Sequence, residues 1–336
     1  FCQNTNVERA DIEVRSYHDG VTFVAARLSK EAIERAARIN PLRTAHPMGQ
    51  IRFEPMRRSF SVAAPHLPAK SGHPSVTVGV FDGGCDPTVP LLSGYVTAHD
   101  CVASQADRNG VDHGGAVCGV VLHGELSGKT ASDTLPSPEV AVECFRVLPQ
   151  TGPMDFDLYE AIDVIENVVS KRDDIGLYNI SFGPKGPILD DDISRFTYSL
   201  DTLTSDADQD EEAPLFSIAV GNDGDLPAPF NRIQAPADLV NGLAVGAYTY
   251  DASNAPVRAD YSCLGPGREG LKVKPDLLEF GGDMSHPFIV ADMSGDKITA
   301  TAGTSFASPL AVHKMAQMLA RSEDITPHMA RSLLIQ

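Results

Sequence analysis

Four polar residues, far apart in the chain, each stand beside glycine at the edge of an apolar run. Asp82 ends Val80-Phe81-Asp82-Gly83-Gly84. His113 lies in Asp112-His113-Gly114-Gly115-Ala116-Val117-Cys118-Gly119. Asn222 follows a strand-like run in Ala219-Val220-Gly221-Asn222-Asp223-Gly224. Ser305 stands in Ala302-Gly303-Thr304-Ser305-Phe306-Ala307-Ser308-Pro309, ahead of Leu310, Ala311, Val312 and Met315. A serine hydroxyl attacks a carbonyl carbon only when a base takes its proton, and the base works best when a third group holds its tautomer. The oxyanion that forms then needs preorganised N–H donors. A carboxylate, an imidazole, an amide N–H2 and a hydroxyl supply one of each. Ser305, delivered by a tight turn to the start of a buried helix, would sit among orphan backbone N–H groups at the positive end of the dipole. Singly, each residue has a plainer reading: Asp82 and Asn222 as turn residues, Gly303-Thr304-Ser305 as a helix cap, His113 as one histidine of ten.

The elements that must position these groups read as repeated strand–helix units. Val76–Phe81 is a nearly continuous apolar run, as a strand covered on both faces must be. Further strands are expected over 140–148, 176–181, 215–220 and 243–247. Helices are expected over 111–121, beginning near His113, and over 157–170 and 192–203. This alternation implies an α/β fold, a doubly wound and mostly parallel sheet with helices on both faces. Sites in such sheets form beyond the carboxyl ends of the strands, where Asp82 and Asn222 fall. Residues 1–54 read as a separate small α+β unit: a strand at Val21–Ala25, a helix from Lys30 to Ile39 capped by Ser29, and a strand at Gln50–Glu54. Residues 55–75, rich in Pro, Ser, Ala and basic side chains, read as a linker, which leaves 76–336 as the main domain.

Composition narrows the function classes. A net charge of -18 argues against a basic face for nucleic acid, and no run is long or apolar enough to span a membrane. The same acidity favours basic or extended polar peptides as partners, although solubility alone accounts for it. No charged-then-apolar leader opens the chain. Cys2, Cys85, Cys101, Cys118, Cys144 and Cys263 fit no zinc or redox spacing; the expectation is free thiols, a reducing compartment and a cytoplasmic location. The acidic tracts Asp190–Asp192 and Asp206–Glu212 read as solvated loops without regularly spaced calcium ligands. No metal site is expected; structural calcium remains unassigned.

The four motifs in the order Asp, His, Asn, Ser resemble the subtilisin-like serine proteases, the subtilase or peptidase S8 family, whose Asp–His–Ser chain order is well known. The resemblance runs from Val76 to Leu334. It is supported by Asn179-Ile180-Ser181-Phe182-Gly183, Tyr261-Ser262-Cys263-Leu264-Gly265-Pro266 and Lys274-Pro275-Asp276. It implies that Ser305 is the nucleophile, His113 the general base, Asp82 the group that orients it, and Asn222 an oxyanion donor. It further implies a protein or peptide substrate held in extended form between Gly152-Pro153-Met154 and Ser181-Phe182-Gly183, with no cofactor needed for the chemistry. By the same resemblance residues 1–54 match part of an inhibitory prodomain, as in a zymogen, with self-cleavage in the linker. The acidic segment 190–213 would shape substrate access or hold a regulatory protein partner. Cys85 and Cys118, close to Asp82 and His113, are read as packing residues or as thiols open to mercurials and oxidants. A protease-like fold that binds peptides without turnover is the alternative from another class.

Overall fold

A computed structural model describes residues 1–336 except 50, 52–55, 57, 69–71, 73, 149–157, 190–192, 206–212, 269, 271 and 272. Residues 1–49 and 50–336 form two compact units. In the first, helix α1 (Cys2–Thr5) precedes strands β1 (Ile12–Ser16) and β2 (Thr22–Ala26) and helix α2 (Lys30–Ala36). The strands pair antiparallel, Ile12 opposite Ala26 and Ser16 opposite Thr22. The Ser29 hydroxyl accepts the Ala32 N–H at 3.2 Å, the N-cap that its position calls for. Ala32 and Ala36, one turn apart, form the buried stripe of α2. The unit is therefore hairpin then helix. β1 was not expected, and the strand expected at 50–54 lies outside the described residues apart from Ile51, which is irregular.

The second unit contains β3 (Ser61–Ala63), β4 (Val76–Asp82), β5 (Val96–Asp100), α3 (Arg108–His123), β6 (Val140–Arg146), α4 (Leu158–Val169), β7 (Leu177–Ile180), α5 (Arg195–Ser205) and β8 (Leu215–Ala219). These are followed by β9 (Leu243–Tyr250), β10 (Pro256–Arg258), β11 (Leu277–Phe280), β12 (Phe288–Asp292), β13 (Lys297–Thr301), α6 (Thr304–Arg321) and α7 (Pro327–Ile335). Among the described residues the main sheet has the order β10-β9-β8-β7-β4-β6-β5, with β11 also on β9. All its pairings are parallel except β10 on β9. Strand order reverses at β4, which has β6 on one side and β7 on the other. That is the switch point where such sheets open a crevice.

The sheet is covered on both faces, which explains its continuous apolar strands. Val78, Val80, Val142 and Cys144 pack with Val117 and Val121 of α3 and Ala307 and Ala311 of α6. Phe81, Phe145 and Tyr178 face the other way, onto Ile162 and Ile165 of α4 and Leu200 of α5. Each fully buried Val, Leu, Ile or Phe among them contributes about 1.5–3 kcal/mol, so residues that look monotonous in sequence anchor both layers.

Two expectations are corrected here. The stretch read as a linker contributes β3, paired antiparallel to β13 with Val62 opposite Ile298. In the same stretch Arg58 reaches Asp112 at 3.0 Å and Asp292 at 3.5 Å. Helix α3 begins at Arg108, not near His113, because the Asp107 side chain accepts the Gly110 N–H at 3.1 Å and caps it there.

Candidate active site

Asp82 is the last residue of β4 and is fully buried, while His113 lies in the second turn of α3 and is 8% exposed. The helix reaches the strand end because small residues face it. A Cβ on Gly83 would lie 2.4 Å from the Gly110 Cα, and one on Gly114 would lie 2.2 Å from the Gly84 carbonyl oxygen. With those side chains absent, His113 Nδ1 comes within 2.9 Å of Asp82 Oδ1 and 3.0 Å of Oδ2. A carboxylate only accepts, so Nδ1 carries the proton and donates it, which makes Nε2 the basic nitrogen of the neutral ring. The Gly83 N–H donates to Asp82 Oδ1 at 2.7 Å and fixes the carboxylate from behind.

Ser305 arrives from the opposite side. Strand β13 ends at Thr301, and Gly303, at φ 154°, turns the chain into α6. Ser305 is the second residue of that helix rather than its cap. Pro309 sits four residues on and has no N–H, so the Ser305 carbonyl is released from the helical ladder. The Ser181 hydroxyl donates to it at 3.1 Å instead, and the Ser305 hydroxyl donates back to the Ser181 carbonyl at 3.1 Å. The two residues thus hold one another across β7 and α6. The ring of Phe306, next in sequence, lies 6.1 Å from the His113 ring, centroid to centroid. His113 and the start of α6 therefore share one edge of the sheet.

Asn222 completes the group. Its Oδ1 accepts from both the Thr304 N–H and the Thr304 hydroxyl, each at 2.9 Å. Two donors converging on one atom identify it as the oxygen, so the amide N–H2 points away from Thr304 and is left as the donor. The turn bearing Asn222 is pinned by the 261–263 loop. The Cys263 N–H donates to the Gly221 carbonyl at 3.2 Å, and the Gly224 N–H donates to the Tyr261 carbonyl at 2.7 Å. This gives the Tyr261-Ser262-Cys263 motif its physical role.

The sequence profile of the subtilase family matches residues 73–336. The chain belongs to the subtilase family. Among solved structures it is similar to an S41 psychrophilic protease, at 25% identity and TM-score 0.57, over 80% of this chain and 83% of that one. It is also similar in fold to sphericase (19% identity, TM-score 0.56, 80% and 84% covered) and to the self-cleaved protease domain of PatA (21%, TM-score 0.52, 79% and 88%). No curated protein matches it by sequence.

The remaining expected positions in this subtilase divide. Gly152, Pro153 and Met154 lie outside the described residues. Ser181 is in the site through its carbonyl and hydroxyl. The Phe182 side chain does not face a groove: it stacks on Phe196 at 5.8 Å within the core, so Phe182 offers only its backbone. Gly183 runs against the Ala235 backbone, where a Cβ would lie 2.3 Å from the carbonyl oxygen.

A buried polar relay beneath Ser305 was not assigned from sequence. Ser217 and Ser308 share a hydroxyl bond at 3.0 Å, Ser308 donates to Asn179 Oδ1 at 2.9 Å, and Asn179 Nδ2 donates to Ser181 Oγ at 2.9 Å. The relay fixes the Ser181 hydroxyl that holds the Ser305 carbonyl. The signal was present as polar residues at inward positions of β7, β8 and α6. Among the described residues, the one set of three metal-ligating side chains whose ligand atoms lie close together is a thiol set, Cys85, Cys118 and Cys144.

Proposed function

We propose that the chain is a serine endopeptidase that cleaves extended protein segments through an acyl-enzyme, with Asp82, His113 and Ser305 as its triad. The observation that carries this reading is the pair of Asp82–His113 bonds at 2.9 and 3.0 Å, with Ser305 in the N-terminal turn of α6 between Thr304, bonded to Asn222, and Phe306, whose ring lies 6.1 Å from that of His113. In the resting arrangement the Ser305 hydroxyl is held on the Ser181 carbonyl. Attack requires the hydroxyl to leave that carbonyl for His113 Nε2, since catalytic hydrogen bonds tighten when substrate arrives. As the Ser305 oxygen bonds to the carbonyl carbon, its proton passes to Nε2, and Asp82 stabilises the imidazolium. The oxyanion lies between the Asn222 N–H2 and the Ser305 N–H, which has no helical acceptor so near the start of α6. Collapse breaks the peptide C–N bond, and His113 gives its proton to the leaving amine. Water then repeats the sequence and frees Ser305. No cofactor enters this chemistry.

Substrate backbone would lie between 152–154 and 181–183 and add a strand to each. Residues 1–54 are assigned in this proposal to an inhibitory prodomain removed by self-cleavage, and the chain to a reducing, cytoplasmic compartment. The test is hydrolysis of a quenched fluorescent peptide library by the purified chain beside Ser305→Ala. Turnover by the parent alone supports the proposal. Peptide binding by both, with turnover by neither, replaces it with a silent peptide-binding role.

A further inference from the structure

Three thiols converge beneath the Asp82–His113 pair from three elements that sequence order does not bring together. Cys85 follows the Gly83-Gly84 turn at the end of β4, Cys118 lies in α3, and Cys144 lies in β6 opposite Val80 of β4. Their sulfur atoms all lie within 4.8 Å of one another. Cys118 and Cys144 are fully buried and Cys85 is half-buried. Side chains that merely fill a core have no reason to meet sulfur to sulfur, since a thiol is a weak donor and packs equally well against carbon. Cys85 is the one of the three that solvent reaches.

We propose that Cys85, Cys118 and Cys144 form a binding site for one divalent d10 cation of the zinc and cadmium class. With no two sulfurs more than 4.8 Å apart, an ion at the centre of the triangle would lie at most about 2.8 Å from each, and a zinc–thiolate bond is about 2.3 Å. A movement of no more than about 0.5 Å per sulfur, within the reach of a χ1 adjustment, closes the difference. Thiolate ligands select soft cations over calcium or magnesium. The balance is M²⁺ + 3 RSH → M(SR)₃⁻ + 3 H⁺, with three S–H bonds lost, three metal–sulfur bonds formed and no change of oxidation state. A monovalent cation would leave a second uncompensated negative charge beside buried Asp82, which favours the divalent ion. No fourth Cys, His, Asp or Glu ligand atom joins the group among the described residues. Water entering on the Cys85 side would supply the fourth ligand. The filled site would tie the β4 turn to α3 and β6, the elements that carry Asp82 and His113. The inference is independent of peptide hydrolysis.

The test uses the full chain, reduced and stripped of metal, titrated with cadmium chloride. The expected result is an ultraviolet thiolate-to-cadmium charge-transfer band that saturates at one ion per chain, with a rise in melting temperature. The variant Cys2→Ser/Cys101→Ser/Cys263→Ala should keep the band, and Cys85→Ser should lose it with an unchanged circular dichroism spectrum. A measurement without variants accompanies these: cadmium should slow alkylation of Cys85 by iodoacetamide at least tenfold, mapped by mass spectrometry. Absence of the band in the folded chain, persistence of the band in Cys85→Ser, or alkylation of Cys85 indifferent to cadmium would each overturn the proposal.

Discussion

Replacing Gly114 by alanine tests how the Asp82–His113 pair is held. The new Cβ would stand 2.2 Å from the Gly84 carbonyl oxygen and 3.1 Å from both Cβ and Oδ1 of Asp82. Real Cβ atoms essentially never approach closer than 3.0 Å, so the helix and the turn must separate by at least 0.8 Å. Backbone stands on one side and a buried carboxylate on the other, so neither can step aside cheaply. His113 precedes Gly114 directly and rides with it. A separation of that size stretches the 2.9 Å bond from Nδ1 to Asp82 Oδ1 beyond 3.5 Å, where it ceases to be a hydrogen bond. A misplacement of about 1 Å in a catalytic group costs on the order of 10²-fold in rate, near 2.7 kcal/mol. The assay is kcat/KM on a fluorogenic peptide, with the melting temperature recorded alongside. A folded Gly114→Ala chain that keeps more than half the parent kcat/KM would refute the close-approach argument.

Three further outcomes follow from the same geometry. Asn222→Asp keeps an oxygen for the two Thr304 donors but removes the N–H2; kcat should fall by at least about 10²–10³-fold while the fold and melting temperature hold. Ser308→Ala breaks the buried relay and leaves Asn179 Oδ1 without its hydroxyl donor; urea unfolding should show a loss of about 1–3 kcal/mol. Burial, helped by the nearby His313, pushes the His123 pKa down to about 4, although its Nε2 donates to the Leu91 carbonyl at 2.7 Å. The unfolded chain binds that proton near pH 6.5 and the folded chain does not, so stability is lost as pH falls from about 6.5 to 4. The loss is on the order of 3 kcal/mol, and melting curves across that range should flatten in His123→Gln.

The sequence made most of the site legible because each part obeys a local rule. Asp82 closes an apolar strand, glycines flank both it and His113, and Gly303 turns the chain into an apolar helix. Parallel strands buried on both faces, such as Val76–Asp82 and Leu215–Ala219, announce themselves as continuous apolar runs. The less visible elements lack that burial. Strand β5 has a largely exposed pattern, and β3 is exposed throughout and takes its structure from β13. The start of α3 was hidden because Asp107-Arg108-Asn109 reads as a polar loop until Asp107 is seen to cap Gly110. The proline at 309 looks like a fault inside a helix; its purpose emerges only when Ser181 takes the carbonyl it frees. The thiol set was beyond sequence reading for a different reason. Its members share no motif, and only the pairing of β4 with β6 and the docking of α3 bring them together.

The central claim is that Ser305, activated by His113 and Asp82, is a nucleophile. The most direct measurement is reaction of the folded chain, freed of residues 1–54, with a fluorophosphonate, followed by mass spectrometry of its peptides. The account predicts one adduct per chain, on Ser305, abolished in His113→Ala. A folded chain that takes up no label, or takes it up on another residue, would contradict it.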